Sequence, residues 1–416
     1  MKTYPAYKDS GVDWLGKIPE HWEAKTNKYI FEIKKNQVGK KSRDYDLLSL
    51  TLNGVILRDM ENPEGKFPAE FNTYQEVKKD DFIFCLFDVE ETPRTVGLSK
   101  FEGMITGAYT VMSVAEKNDS LFLYYYYLNL DSRKGLKFLY RGLRNTIPKD
   151  WFFSLKTPLP PKPEQQAIAN YLDETCGKLD TVVAQKEKMI ALLKERKQAL
   201  IQNAVTRSLN ENVPMKDSGV NWIGEIPENW EVKRLKFVSE IRNNKLYAKE
   251  SELPYLGMEN VESWSGKLKE TESESEGLAN VYKSGDVLFG KLRPYLAKVY
   301  LADHDGLCSS EFLPFISSDN LTNKFLKNII LSFRFINQID SSTYGSKMPR
   351  ANPDYIKNTL IPIPHKEEQE KIVNYIDAQS QKIDQAVKQQ EQAIIKLKEY
   401  KASLIDSCVL GKIKVS

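Results

Sequence analysis

The side chains best suited to specific hydrogen bonding lie in a short loop at residues 290–294, Gly-Lys-Leu-Arg-Pro. A run of apolar β-formers at 286–290 precedes it and predicts a strand that ends where the loop begins. The Lys291 ammonium and the planar Arg293 guanidinium are groups that read guanine edges in a DNA groove. The comparable place in the first half of the chain, residues 88–94, carries different side chains and ends on Arg94. The two loops are therefore candidates for reading different base sequences.

A second set of candidate contacts follows each predicted strand pair. A carboxylate such as that of Glu311 can accept a hydrogen bond from a cytosine amine, and hydroxyl groups can contact several bases. The candidates from both halves of the chain are Thr106, Tyr109, Ser309, Ser310 and Glu311. These residues stand at corresponding places, so we expect them to act as pairs of alternative readers.

Basic residues are concentrated in one stretch of each half. Residues 133–149 contain six Lys or Arg and no acidic residue, and 324–350 is similarly basic. The candidates here are Arg133, Lys137, Arg141, Arg144 and Asn145, followed by Lys347 and Arg350 in the second half. Such local patches are typical of phosphate contacts, although a solvated helix face followed by a turn is the structural alternative.

No catalytic site is evident. The sequence has neither GxxxxGK[ST] nor GxGxxG, the loops that seat nucleotide phosphates. Asn352-Pro-Asp-Tyr355 is one residue away from the Asn-Pro-Pro-Tyr of adenine methyltransferases, and we interpret it as a turn. Three His and four Cys are dispersed, which argues against a zinc site or a nucleophile–base pair. We therefore predict no catalytic residue, metal ligand or cofactor site, leaving open an unrecognised methyltransferase site.

The segments that must position these residues form an internal sequence repeat. Residues 8–25 return at 216–233 with 13 of 18 positions identical. A second motif, Pro-x-Pro-x-x-x-Glu-Gln, occurs at residues 158–165 and again at 362–369. The segments between the motifs, 26–157 and 234–361, are much less alike. This pattern predicts two modules that share a frame but differ in what they contact.

A long helix follows each copy of the second motif. Apolar residues recur at 4,3 spacing from Ile168 to Leu200 and from Ile372 to Leu404, without interior proline. The pattern predicts two helices of about 40 residues, each with an apolar stripe that the other copy can bury. A pseudo-two-fold would pair the helices antiparallel, with the variable segments at opposite ends. The alternative is that each helix packs only on its own domain.

The variable segments read as α/β. Strands are predicted at 81–87 and 286–290 and again at 104–111 and 306–313, followed by helical segments at 121–130 and 321–336. Turns are predicted at Gly142 and Gly345. The fold class is therefore α+β, with two α/β domains joined by two long antiparallel coiled-coil helices in an internal pseudo-two-fold repeat. The segments are 1–157, 158–208, 209–361 and 362–416.

The repeated aromatic motif has two interpretations. Its apolar side chains either anchor each module to the helices or form a protein-docking surface that is presented twice. We assign the docking role to Trp14, Ile18, Trp22, Trp222, Ile226 and Trp230.

Bulk composition excludes several classes. The net charge of +3 excludes a polycation that binds nucleic acid by overall attraction. No apolar run reaches the ~18 residues of a membrane span, and no signal region opens the chain, so the expected compartment is the cytoplasm. With 41% hydrophobic residues, the chain has enough apolar material for more than one core.

The repeated GVxW[LI]GxIPExW and PxPxxxEQ motifs, together with DVLFGKLRPYLAKV and CSSEF, resemble the specificity subunits of type I restriction–modification systems. The resemblance implies two target-recognition domains, each reading half of a split DNA site, and helices that space them. It also implies that two methyltransferase subunits and restriction/translocase subunits join the chain. Adenosylmethionine, ATP and Mg²⁺ would belong to those partners. The first half departs from the family pattern at 82–88, where GKLRP is absent. A coiled-coil scaffold without nucleic-acid function is the other alternative.

Overall fold

A computed structural model describes residues 2–59, 71–210, 212–269, 271–345 and 347–415 of the chain. The chain divides into two compact units, Met1–Gln185 with Gln392–Ser416, and Lys186–Glu391. We call the sheet-bearing part of the first unit module 1 (residues 2–161) and that of the second module 2 (residues 212–365). The division differs from the four predicted segments in one respect. The long helices are shared between the units, because each stretch of helix packs against a module.

Module 1 is built from short strands and two helices. Its strands are β1 (Tyr7–Asp9), β2 (Lys17–Pro19), β3 (Glu23–Thr26), β4 (Phe31–Ile33), β5 (Leu48–Thr51), β6 (Gly54–Leu57), β7 (Gln75–Val77), β8 (Phe82–Phe84), β9 (Val96–Leu98), β10 (Gly103–Ile105), β11 (Thr110–Val114) and β12 (Lys156–Leu159). Its helices are α1 (Ser120–Ser132) and α2 (Lys149–Ser154), and the long helix α3 (Lys162–Arg207) follows. Asp119 caps α1 by accepting a 2.8 Å hydrogen bond from the N–H of Phe122.

Module 2 repeats this order. Its strands are β13 (Met215–Asp217), β14 (Glu225–Pro227), β15 (Glu231–Arg234), β16 (Ser239–Ile241), β17 (Lys245–Tyr247), β18 (Tyr255–Leu256), β19 (Leu278–Tyr282), β20 (Val287–Gly290), β21 (Val299–Leu301), β22 (Gly306–Cys308), β23 (Phe312–Ser317) and β24 (Leu360–Ile363). Its helices are α4 (Asn323–Leu331), α5 (Phe333–Asp340) and α6 (Pro353–Asn358), and the long helix α7 (Lys366–Val409) follows. None of the described helices has the length and apolarity needed to cross a bilayer.

The central sheet has the same antiparallel strand order in both modules, β4-β11-β8-β9 and β16-β23-β20-β21. β8 and β20 confirm the strands predicted at 81–87 and 286–290. The strands predicted at 104–111 and 306–313 were wrong in extent, because each is two strands separated by a turn. β-Propensity alone conceals such a turn, which Gly107 and the Ser309-Ser310 pair permit. The turn adjoins the end of β8 or β20, where the candidate loops begin.

The central sheet of module 1 is buried on both faces. Phe82 and Phe84 lie in a core with Phe122 of α1 and Phe152 of α2, whereas Ile83 belongs to a second cluster on the opposite face. The same alternation explains why the strand sequence is continuously apolar rather than alternating with polar residues. A rigid support of this kind lets the loops that leave the sheet hold fixed positions.

The repeated aromatic motif is buried against the long helices. Trp22 and Trp230 are 0% exposed, and Ile18, Ile226 and Trp222 are also buried. Trp22 shares a core with Ile168 of α3, and its indole N–H donates a 3.2 Å hydrogen bond to Glu164 Oε1. The predicted partner surface was wrong for these five residues, because enclosed side chains cannot contact another protein. Trp14 is half-buried against Phe138. The motif anchors each module to the helices.

A buried glutamine joins the start of each long helix to its module. Gln165 Oε1 accepts a 2.8 Å hydrogen bond from the N–H of Asp119, the cap of α1, and its amide donates to the carbonyl of Pro160. Gln369 makes the same contacts with Thr322, the cap of α4, and Pro364. The second repeated motif therefore retains its glutamine because the side chain satisfies buried backbone groups in both copies.

The long helices pair antiparallel, as predicted. α3 has 46 residues and α7 has 44. In the second unit, Lys186 donates to Gln390 and Lys197 to Asp384, so the partner's number falls as the first number rises. Asp384 corresponds to Asp180 in the repeat, and Asp180 pairs with Lys401, which corresponds to Lys197. Each unit therefore contains its own copy of this ion pair, with the roles of the two helices exchanged, as the internal repeat predicts.

We expect Asp384→Asn to lower the free energy of unfolding by about 1 kcal/mol, because Asp384 accepts 2.7 Å hydrogen bonds from both Lys197 and Lys267. The more exposed Asp180 accepts from Lys401 alone, and Asp180→Asn should cost no more than about 0.5 kcal/mol. Urea unfolding of both variants at neutral pH measures the difference. Equal losses would contradict the role given to the second lysine.

The same pair predicts a pH dependence. Burial alone would raise the pKa of Asp384, but hydrogen bonds from Lys197 and Lys267 outweigh it and hold the pKa below its ordinary value. The carboxylate therefore stabilises the fold above the unfolded pKa of about 3.9. This stabilisation is lost as the pH falls through the lower folded pKa. The difference in the free energy of unfolding between the wild type and Asp384→Asn should accordingly decrease below about pH 4, which urea unfolding at several pH values measures.

Candidate nucleic-acid interface

Three segments of module 2 meet at the end of β20. The N–H of Lys291 donates to the carbonyl of Glu311 (2.9 Å), and the carbonyl of Lys291 accepts from the N–H of Ala351 (2.9 Å). The N–H of Arg293 donates to the carbonyl of Pro349 (2.7 Å). We call residues 291–293, 309–311, 344–345 and 347–350 the module 2 loop cluster. Backbone hydrogen bonds therefore unite three segments that are remote in sequence and carry most of the predicted DNA contacts of this half.

The side chains of this cluster fall into two groups. Glu311 accepts hydrogen bonds of 3.0–3.2 Å from Nε and Nη2 of Arg350, so the pair holds itself in a planar fork. Both Glu311 oxygens accept from Arg350, and each keeps a further lone pair, so acceptance from a cytosine amine stays a prediction. Lys291 and Arg293 make no side-chain hydrogen bond or ion pair within the described ranges, and Ser310 and Lys347 are exposed. These four remain available to a ligand.

Module 1 has the same backbone hydrogen bonds at the end of β8 as module 2 has at the end of β20, but with different residues. The carbonyl of Leu86 accepts from the N–H of Ile147, as that of Lys291 does from Ala351, and the N–H of Asp88 donates to the carbonyl of Arg144. Asp88 has φ +48° and Arg293 has φ +49°, so both occupy the left-handed region. Such a value is uncommon for a non-glycine residue and marks a position fixed by its surroundings. Asp88, the first residue of the loop predicted at 88–94, is therefore the structural counterpart of Arg293, although it was not among the predicted DNA contacts.

We call residues 86–88, 106–109 and 141–146 the module 1 loop cluster. Arg144 donates to Asp88 through Nε (2.9 Å) and Nη2, and these hydrogen bonds lower the pKa of the Asp88 carboxyl. The Arg144 guanidinium also lies 5.6 Å from the ring of Phe87, which stacks on Tyr109. Arg144 is 69% exposed despite these contacts. The cluster thus presents a fixed guanidinium beside two aromatic rings, with Asn145 half-buried in the same turn.

The basic patch predicted at 133–149 is largely compensated by acids from elsewhere. Arg133 pairs with Asp406 of α7 (2.7 Å) and Lys137 with Glu90 (3.1 Å). Arg141 lies over the ring of Trp151 at 3.9 Å. The patch therefore carries much less free positive charge than its sequence suggests.

The remaining candidates have local roles in the fold. Arg94 donates to the carbonyl of Leu52 and lies 3.9 Å from Asp131. Thr106 accepts from the N–H of Ala108 and Ser309 from that of Glu311, which fixes the two turns. Asn352 is the N-cap of α6, accepting from the N–H of Asp354, so the predicted turn at 352–355 opens a helix instead.

Residues that sequence reading missed include Phe87, Asp88 and Tyr344. Tyr344 is 63% exposed and pairs with Arg350 through the backbone, which places it in the module 2 loop cluster. A repeat alignment at an offset of 205 would have placed Asp88 opposite Arg293. Among the described residues, no group of three or more His, Cys, Asp or Glu could hold a metal ion.

The family model for the type I restriction modification DNA specificity domain matches the chain twice, over residues 19–190 and 227–396. The chain belongs to this family. It is a type I restriction–modification specificity subunit, the component that recognises DNA. Both matches span a module and the beginning of the long helix that follows it. The two matched ranges follow the repeat that the sequence predicts, and they contain the two loop clusters.

Curated relatives agree with the family. The chain is 27% identical over 330 residues to the type I restriction enzyme MjaVIII specificity subunit of Methanocaldococcus jannaschii, covering 74% of each chain. It is 26% identical over 299 residues to the EcoDI specificity subunit of Escherichia coli, covering 65% of this chain and 66% of that one. Both matches extend well beyond one module of the specificity subunit.

Solved structures share its fold. A structure reported for complex assembly and conformational transition of the type I R-M system matches with a TM-score of 0.67, covering 95% of this chain and 99% of that chain at 15% identity. The HsdS subunit from Thermoanaerobacter tengcongensis matches with a TM-score of 0.52, covering 95% and 98% at 15% identity. These structures support the fold class of the specificity subunit: two α/β domains with long helices.

Proposed function

We propose that this chain reads a split double-stranded DNA site, module 1 recognising one half and module 2 the other. One observation carries the proposal. The two loop clusters have the same backbone hydrogen-bond arrangement but carry different side chains. The left-handed corner carries an acid, Asp88, in module 1 and a base, Arg293, in module 2. Equal frames with different side chains are what two readers of unlike half-sites require, since side chains select bases.

The proposal extends to the partners. Two methyltransferase subunits dock on the chain and methylate adenine in the site, and restriction/translocase subunits join them for cleavage. Adenosylmethionine, ATP and Mg²⁺ are held by these partners, while the specificity subunit contributes no catalytic residue. The reciprocal Asp180–Lys401 and Asp384–Lys197 pairs support two methyltransferase subunits, because a repeated frame offers the same surface twice.

Exchange of the variable segment tests this function. A chain in which residues 26–157 come from another family member should change one half of the methylated motif and leave the other half unchanged. The matched control exchanges 234–361 and should change only the other half. Methylation mapping in cells that carry the chain with its partners measures both results. A change in both halves after either exchange would contradict the assignment of one half-site to each module.

A further inference from the structure

Module 2 contains a cleft beside β16 that no sequence motif indicates. The cleft has a volume of about 420 Å³. Lys291 and Ser310, which belong to the module 2 loop cluster, form one part of its lining, and Lys236 and Lys357 contribute to the rest. We call it the β16 cleft. Because it shares these two residues with the loop cluster, a ligand bound at the cluster can extend into it.

The lining of the β16 cleft is basic. Its charged residues are Lys236, Glu240, Arg242, Lys245, Lys291 and Lys357. Arg242 is neutralised by Asp286, to which it donates hydrogen bonds of 2.7 and 2.9 Å, and Lys357 pairs with Asp354 at 2.8 Å. Lys236, Lys245 and Lys291 form no ion pair with any residue the structure describes, and Glu240 is the single carboxylate in the lining. The cleft therefore carries uncompensated positive charge.

The lining also contains a buried polar atom. Ser239 is 5% exposed, and its hydroxyl has no hydrogen-bond partner among the described residues. Phe31 occupies the same place in module 1 and is buried in an apolar core. The enclosed hydroxyl makes no contact in the cleft itself, but the small side chain leaves room beside β16 that a phenylalanine would fill.

Two of the three uncompensated cations occur in module 2 alone. Gln37 pairs with the neighbouring strand in module 1 as Lys245 does in module 2. Leu86 is the backbone counterpart of Lys291, and Phe153 is the fifth residue of α2 as Lys357 is of α6. The neutralised pair is retained, because Lys34–Asp81 corresponds to Arg242–Asp286. Lys236 also has a counterpart, because Lys28 is the second residue of the short helix 27–29 as Lys236 is of the short helix 235–237. Lys245 and Lys291 are therefore the unpaired cations that module 1 lacks.

We propose that the β16 cleft binds backbone phosphates of the DNA strand whose bases contact the module 2 loop cluster. This inference rests on the proposed function. Lysines on a polar wall suit phosphate oxygens, since they supply charge without requiring a base sequence. Lys236 and Lys245 position the duplex, while the adjacent loop cluster selects bases. Module 1 has Lys28 at the place of Lys236 but no counterpart of Lys245 or Lys291, so it makes the smaller electrostatic contribution to binding.

The test uses the full chain in complex with its methyltransferase partner. Lys236→Gln combined with Lys245→Gln is compared with the wild type for binding to a duplex carrying the mapped site and to a scrambled duplex, between about 50 and 200 mM salt. The slope of log K against log salt should fall in magnitude by about 1.8, because two phosphate contacts are lost. Affinity for both duplexes should fall by the same factor, on the order of tenfold. The methylated motif should not change.

Two controls accompany the double variant. Lys236→Arg with Lys245→Arg keeps the charge and should keep the slope. Lys28→Gln alters the module 1 counterpart of Lys236 and should leave the slope unchanged. The proposal is overturned if the double variant keeps the wild-type slope, if only the cognate duplex is affected, or if Lys28→Gln has an equal effect. Failure of the proposed function would show differently, as a segment exchange that changes both halves of the motif.

Discussion

Replacement of Trp230 by alanine is expected to lower the free energy of unfolding of the second unit by about 3–5 kcal/mol. Trp230 is fully buried and shares a core with Ile201 and Val205 of α3 and with Ile372 of α7. Removing the indole leaves a cavity that a close-packed core of strands and helices fills only partly. Urea unfolding followed by far-UV circular dichroism measures the loss. A loss under about 1 kcal/mol would contradict the anchoring role of the motif.

The repeat supplies a matched comparison. The indole N–H of Trp22 donates to Glu164, whereas that of Trp230 is buried without a hydrogen-bond partner in the described part of the chain. Trp22→Phe removes a hydrogen bond to an acid, but Trp230→Phe removes only an unsatisfied donor. We therefore expect Trp22→Phe to cost about 1 kcal/mol more than Trp230→Phe. Equal costs would show that the Glu164 contact adds nothing.

The second large effect concerns sequence choice. Arg350→Ala should lower binding to the methylated site by roughly 10- to 100-fold and relax one base position in the half read by module 2. Glu311 engages Nε and Nη2 of Arg350, so the fork is held rigidly while Nη1 makes none of these hydrogen bonds. A guanidinium oriented in this way is suited to a guanine edge. Arg350→Lys should not rescue, because an ammonium lacks the planar fork.

The corresponding change in module 1 is the control. Arg144→Ala removes the arginine that Asp88 orients, and it should relax a position in the other half-site only. Methylation mapping of both variants, with binding to duplexes altered at single positions, measures these effects. A uniform loss of affinity across all duplexes after Arg350→Ala would show that Arg350 contacts phosphate rather than a base.

The frame of the molecule follows from its sequence, while the geometry of the interface does not. The long helices and the buried strands depend on periodicity that a short window contains. Asp88 and Arg144, by contrast, are 56 residues apart, and Glu311 and Arg350 are 39 apart. Their pairing depends on how the loops close and on a left-handed φ at a non-glycine residue, which neither spacing nor composition specifies.

The sequence also overestimates the free charge of the basic patch at residues 133–149, for the same physical reason. Its cations were counted along the chain, but charge is compensated in space. Arg133 forms an ion pair with Asp406, which is 273 residues away in sequence, and Lys137 forms one with Glu90. The β16 cleft is the converse case, because Lys236, Lys245 and Lys291 are scattered in sequence and line one cavity only in the fold.

The buried glutamines at the start of the long helices connect each long helix directly to the helix that follows the central sheet of its module. The planar amide of Gln165 accepts from the cap of α1 and donates to the carbonyl of Pro160. Gln369 does the same with the cap of α4 and the carbonyl of Pro364. A bend or twist imposed on α3 or α7 is therefore carried directly to the first turn of the adjoining helix rather than absorbed by a slack joint. Under the proposed function, a partner subunit that moves α3 or α7 would also displace the module that reads DNA.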